Sequence, residues 1–201
     1  MKPNQIVLLD GGIGQEIYKR AGSPESQTLW SLQIMRDNPE IVVGVDIDFI
    51  NAGSKVLSLN NYAATPSRLE RIGMRDSFDE IHSLSIRLLN TAISESKYAR
   101  SDLSIAGSLP PLIASYTAED SRENKELFEE YILLIEQQID DVDLFRAKLF
   151  TARKIAENKI YSSELSQKQY FYFTSLSTKT IIYKGLLLSL IHISEPTRPE
   201  R

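Results

Sequence analysis

The stretch Ile6-Val7-Leu8-Leu9-Asp10-Gly11-Gly12-Ile13-Gly14 constrains the fold of this chain more than any other. A short run of aliphatic and β-branched side chains reads as a fully buried strand. It stops at a carboxylate and runs into Gly11, Gly12 and Gly14, which leave the backbone free to turn sharply. Helix-forming residues from Gln15 to Arg20 follow. A strand that ends in an acid is how α/β folds set a charged group at the carboxyl end of a sheet, where they bind ligands. Asp10 therefore has two readings at this level: a carboxylate facing a ligand, or a cap for the turn.

The alternation continues downstream. Asn38-Pro39-Glu40 starts a helix with proline at an early position. Ile41, Val42, Val45 and Phe49 form its apolar face, and Gly53 stops it. Lys55 to Leu59 reads as a second strand leading into Asn60-Asn61-Tyr62. Asp76 and Ser77 are expected caps for a helix through about Lys97, striped by Phe78, Ile81, Leu84, Leu88, Leu89 and Ala92. On that helix His82 reads as a surface or flank residue. Leu103 to Gly107 is a third strand, broken by Pro110-Pro111. Ser121 to Gln138 is an amphipathic helix, Val142 to Phe145 a fourth strand, Thr151 to Asn158 a short helix and Tyr170 to Phe173 a fifth strand. Strands alternating with helices predict a parallel sheet, in a β/α barrel or a doubly wound fold. The dinucleotide fingerprint is half present: Gly12 and Gly14 fit, but Ile17 stands where its third glycine belongs.

Composition narrows the chemistry. The 201 residues suffice for one domain with a real core. A net charge of -4 offers no basic excess to hold a phosphate backbone, so nucleic acid is not an expected partner. No apolar run is long enough to span a bilayer and no signal peptide is evident, so no membrane is expected and the cytoplasm is the expected location. There is no cysteine, which removes disulfides, a thiol nucleophile and any thiolate metal site from these residues.

Several segments together resemble the homocysteine S-methyltransferase family. Leu9-Asp10-Gly11-Gly12-Ile13-Gly14 resembles that family's opening strand and turn, and Leu29-Trp30-Ser31 its Leu-Trp-Ser. Asn38-Pro39-Glu40 with Asp48-Phe49-Ile50-x-Ala52-Gly53 resembles the next helix and turn. Asn60-Asn61-Tyr62-Ala63-Ala64-Thr65 is similar to its Thr-Asn-Thr-Tyr strand end. Ala106 to Pro111 with Ser115-Tyr116 resembles the third strand and loop, and Asp141 to Phe145 the fourth. The match runs in register from residue 6 to about 158. The resemblance implies an α/β fold: an incomplete (β/α)8 TIM-type barrel, roughly the first five strands. It implies a methyltransferase that passes a methyl group from a small donor to the homocysteine thiol, giving methionine. It implies a substrate-binding set of Asp10, Gly11, Gly12 and Tyr62, with Asp10 accepting the substrate ammonium. The family also holds a zinc ion through three cysteines, which keeps the thiol as thiolate.

The chain departs from the family in three places. The fourth strand of the family ends in a Glu-Thr pair whose glutamate also holds the ammonium. Here Arg146-Ala147-Lys148-Leu149-Phe150 stands there, with Lys148 at or near the glutamate's place. A cation would repel an ammonium. A short frame error over this stretch would produce the same departure, which resequencing tests. The family's histidine in the second helix is replaced by Asp46. All three zinc cysteines belong to the family's last third, so no zinc is expected on this chain. Residues 1–176 are expected to be the N-terminal part of the barrel domain, and 177–201 a non-native or disordered tail. Within that tail, residues 188–198 resemble the conceptual translation of a sequencing-library adaptor. The chain is thus expected to be an inactive enzyme fragment, with a non-catalytic amino-acid-binding barrel or a non-functional truncated product as alternatives.

Overall fold

The computed structural model describes residues 7–23, 29–113, 122–148, 170–174 and 180–183. The expected helix Thr151 to Asn158 and the segment 188–198 lie outside them. Five strands, β1 (Val56–Ser58), β2 (Ser104–Leu109), β3 (Leu144–Lys148), β4 (Tyr170–Thr174) and β5 (Thr180–Tyr183), lie side by side in chain order. The opening segment joins the free side of β1 through a parallel bridge between Leu9 and Val56. Pairing is parallel from that bridge through β4, as the alternation predicts, and antiparallel between β4 and β5. Among the described residues the sheet does not close into a barrel. Thr180–Tyr183 falls inside the segment 177–201 set apart above, and its backbone pairs with β4.

Helices fill the connections that lead to β1, β2 and β3, as parallel strands require. α1 (Ile13–Arg20), α2 (Trp30–Asp37) and α3 (Pro39–Asn51) lie between the opening segment and β1; α4 (Pro66–Glu70) and α5 (Phe78–Glu95) lead to β2; α6 (Asn124–Glu136) leads to β3. Pro39 occupies the first turn of α3, and Gly53, at φ +104°, ends it in a backbone conformation that disfavours a side chain. α5 starts at Phe78 with Ser77 at its N-cap position, but the Ser77 side chain makes no capping hydrogen bond; a 3-10 turn over Arg75–Ser77 leads in. α2 and α4 were not expected.

Side chains alternate across the sheet. Leu57, Ile105 and Phe145 point to the helices and join one large core with Ile17, Met35, Ile50, Ile81, Leu89 and Leu134. Val56, Ala106 and Leu144 point the other way and pack with Val7 and Leu9. Each large aliphatic or aromatic side chain buried this way stabilises the fold by about 1.5–3 kcal/mol. The opening run is not buried on both faces, because Leu8 is 53% exposed. Gly107 lies opposite Phe145 in register, and a Cβ there would meet the ring at 2.8 Å. The bulk of Phe145 thus depends on the smallness of Gly107.

Candidate functional site

Leu144 and Arg146 lie on one face of β3, two residues apart, so Arg146 follows Leu144 onto the inner face of the sheet. Ser58 stands in the same way two residues beyond Val56 on β1. The end of the opening segment, the end of β1 and the middle of β3 bring Asp10, Ser58 and Arg146 together. Asp10 has a fully buried side chain. Its Oδ2 accepts from the Ser58 backbone N–H. Its Oδ1 accepts from Ser58 Oγ at 3.0 Å and from Arg146 Nη1 at 3.1 Å. The same Nη1 donates to Ser58 Oγ at 2.9 Å. Burial raises the Asp10 carboxyl above its ordinary range, while the Ser58 hydrogen bonds and the Arg146 charge act the other way. Asp10 does not cap α1: Gly12 holds that position and no side chain caps the helix.

Gly11 and Gly12 sit beside the carboxylate with exposed backbone. Neither is among the glycines at positive φ, so the turn does not need left-handed backbone there. Gly11 is small for another reason: a Cβ would come within 2.9 Å of the Phe49 ring on α3. Behind this turn lies Asp46 of α3, buried, with Oδ1 lacking a hydrogen-bond partner among the described residues. Burial, and then the nearby Asp10 charge, hold the Asp46 carboxyl well above the usual carboxylate range.

Tyr62 follows the end of β1 by four residues. Its half-buried ring lies under the Arg68 guanidinium at 5.3 Å, and the partners of Asp10 among the described residues are Ser58 and Arg146. Arg68 in turn donates to Pro111 O at 2.8 Å, and Thr65 Oγ1 to Leu112 O at 2.7 Å, which pins the segment after β2 against α4. Next to Tyr62, Asn61 enters a buried network. Its amide nitrogen donates to His82 Nδ1 at 3.0 Å and to Gln138 Oε1 at 2.8 Å. Gln138 Oε1 also accepts from the Ser108 N–H at 3.0 Å.

His82 is fully buried, which corrects its reading as a surface or flank residue. Helical periodicity put it next to the apolar stripe, and the polar partners at Asn61 and Ala64 draw it inside. Nε2 lies 2.9 Å from Ala64 O, so it carries the proton and leaves Nδ1 free to accept from Asn61. Burial holds the ring below the ordinary histidine pKa, against the Ala64 hydrogen bond and the Asp79 charge. Ser58, the direct partner of Asp10, was missed by the sequence; a serine inside a strand carries no signal of its own. In the stretch Arg146 to Phe150, Arg146 and Lys148 lie within β3, and Arg146 binds the very carboxylate expected to take an ammonium.

A three-cysteine zinc site does not fit these residues. The chain has no cysteine, and among the described residues no group of three His, Asp or Glu side chains could hold a metal ion. Among the described residues no helix is long and apolar enough to cross a membrane.

The described architecture can be set against known proteins. The family model for homocysteine S-methyltransferase matches residues 7–185. The homocysteine S-methyltransferase of Escherichia coli K12 is 30% identical over 121 residues, covering 58% of this chain and 38% of the relative. A selenocysteine Se-methyltransferase from Brassica oleracea var. italica is 30% identical over 66 residues, 33% of this chain and 19% of that protein. In fold, the chain is similar to the metallated form of the homocysteine methyltransferase MmuM from Escherichia coli: TM-score 0.69 at 23% identity, covering 86% of this chain and 63% of that structure. The chain spans less than two thirds of the length of each of these proteins. The α/β architecture with a parallel sheet agrees with the barrel-type fold of that structure. By the extent of the family match, this chain belongs to the homocysteine S-methyltransferase family.

Proposed function

We propose that this chain forms the amino-acid-holding part of an enzyme that transfers a methyl group from a small donor to the thiol of homocysteine, giving methionine. Family membership supports the reaction class. The observation that carries the reading is the Asp10 carboxylate: fully buried at the end of the opening segment, fixed by two Ser58 donors and already in contact with a cation. An α-ammonium offers the same charge and N–H donors as that guanidinium. In this reading Asp10 takes the ammonium of homocysteine. Gly11 and Gly12 leave room for the substrate beside it, and Tyr62 lines the rim. A thiol is a weak nucleophile at neutral pH. Its activation is no task of the residues described, which offer no fitting donor set for zinc. These 201 residues alone are therefore proposed to bind homocysteine and not to turn it over.

Calorimetric titration of L-homocysteine into the chain and into Asp10→Asn tests this. Saturable binding is expected, weakened about tenfold or more by the substitution, because a carboxylate–ammonium contact becomes a neutral one. Equal affinity in the two proteins would remove Asp10 from the pocket.

A further inference from the structure

Arg146 is the residue at which this chain's pocket departs most from a simple ammonium site. We propose that Arg146 is a specificity-determining residue that occupies the ammonium subsite from within, so that its guanidinium competes with the α-ammonium of an incoming amino acid for Asp10. The inference rests on the reading of Asp10 given above.

The geometry carries the argument. Asp10 Oδ2 is taken up by the Ser58 backbone N–H, leaving Oδ1 to receive a ligand. Oδ1 already accepts from Ser58 Oγ and Arg146 Nη1. Nη1 bridges both groups, at 3.1 Å to the carboxylate and 2.9 Å to the hydroxyl, so the cation is seated by two acceptors and not merely nearby. The contact joins residues 136 positions apart and spans from the opening segment to β3 across the inner face. Asp10 is wholly enclosed, whereas the Arg146 side chain keeps 29% of its surface exposed. The carboxylate cannot leave, and the guanidinium has a way out toward solvent. A second cation brought to Oδ1 would meet a like charge at hydrogen-bond range, so a substrate ammonium must displace the guanidinium before it binds. Asp46 does not relieve this conflict as a second anion, because burial favours its neutral form.

The test is calorimetry with L-homocysteine on the full chain, Arg146→Gln and Arg146→Met, each also combined with Asp10→Asn. Circular dichroism confirms that each protein is folded. The two Arg146 variants keep most of the side-chain stem, and a fold that tolerates one of them suffices. Expected is binding at least about tenfold tighter in the Arg146 variants than in the unaltered chain, lost again when Asp10→Asn is added. N-acetylhomocysteine, which lacks the ammonium, should gain nothing. An arginine that serves only the fold would leave affinity unchanged or weaken it. Equal homocysteine affinity with and without Arg146, still lowered by Asp10→Asn, overturns the competition and leaves the reading of Asp10 standing. No binding by any folded variant overturns both.

Discussion

Asp46 has no acceptor or donor set against its Oδ1 among the described residues, and it lies close enough to Asp10 to feel its charge. Both effects favour the protonated carboxyl in the folded chain. The unfolded chain releases its proton near the ordinary value of 3.8, before the folded chain does. Stability therefore falls as pH rises from there until the folded carboxyl also ionises. Asp46→Asn cannot ionise and should escape that fall. In urea unfolding, the variant should exceed the unaltered chain by roughly 1 kcal/mol or more at about pH 7.5, with the difference shrinking toward about pH 4. A difference of the same size at both ends of that range would mean that Asp46 titrates alike in both states. At this scale the sequence was half legible. Asp10 is readable because an aliphatic run ends on it, and Asp46 because it stands where a histidine was expected. Arg146 was not legible: charge drew attention to Lys148, and only the fold brings Arg146 to Asp10.

α5 carries His82 on a largely apolar buried face. His82 ties the helix to Asn61 and Ala64 in the connection after β1, and Asn61 continues to Gln138 just beyond α6. Replacing His82 by leucine would leave the Asn61 amide hydrogen and the Ala64 carbonyl buried without that partner. This should lower stability by about 2–4 kcal/mol at neutral pH. The pH dependence has its own sign. Burial depresses the folded pKa below 6.5, so the neutral ring's contribution is fully present above that value and is lost as pH falls through it toward the lowered one. The leucine variant should thus show a shallower loss of stability on acidification below about pH 6.5, measured by denaturant unfolding. A steep acid limb that survives the substitution would assign it to other groups. Long elements such as α3 and α5 were legible from periodicity, since a three-turn stripe outweighs local noise. α4 was not: five residues hold no period, and it rests on Pro66 and on the Thr65 side chain accepting from Arg68 N. β3 was placed two residues early because Arg146 and Lys148 do not look like a strand interior. Arg146 is there because that face opens on the site rather than on the core.

The whole sheet gains its order from alternation of strand and crossover, which is why its parallel part could be read in advance. The reversal between β4 and β5 could not, because a Tyr-Phe-Tyr-Phe run carries no mark of direction. Within this sheet β2 has β1 on one side and β3 on the other, while the opening segment has β1 alone among the described residues. Opening the sheet at its margin breaks few bonds, so protection should fall from the middle outward. The amides of Ala106 and Gly107 should exchange slowest, and that of Asp10, bonded to Val56 O at 2.9 Å, should exchange much faster. The Arg146 contact adds a second tether to that margin, reaching Asp10 across the inner face from β3. Arg146→Gln should therefore speed exchange at Asp10 by about tenfold while leaving amides in the middle of α5 unchanged, read residue by residue in hydrogen exchange. The asymmetry follows from geometry: the tether ends on the opening segment, and α5 belongs to the core on the opposite face, the one that takes Leu57 and Ile105. A uniform acceleration over the whole chain would mean that the substitution lowers global stability. It would also mean that Arg146 holds the molecule together rather than holding one margin in place.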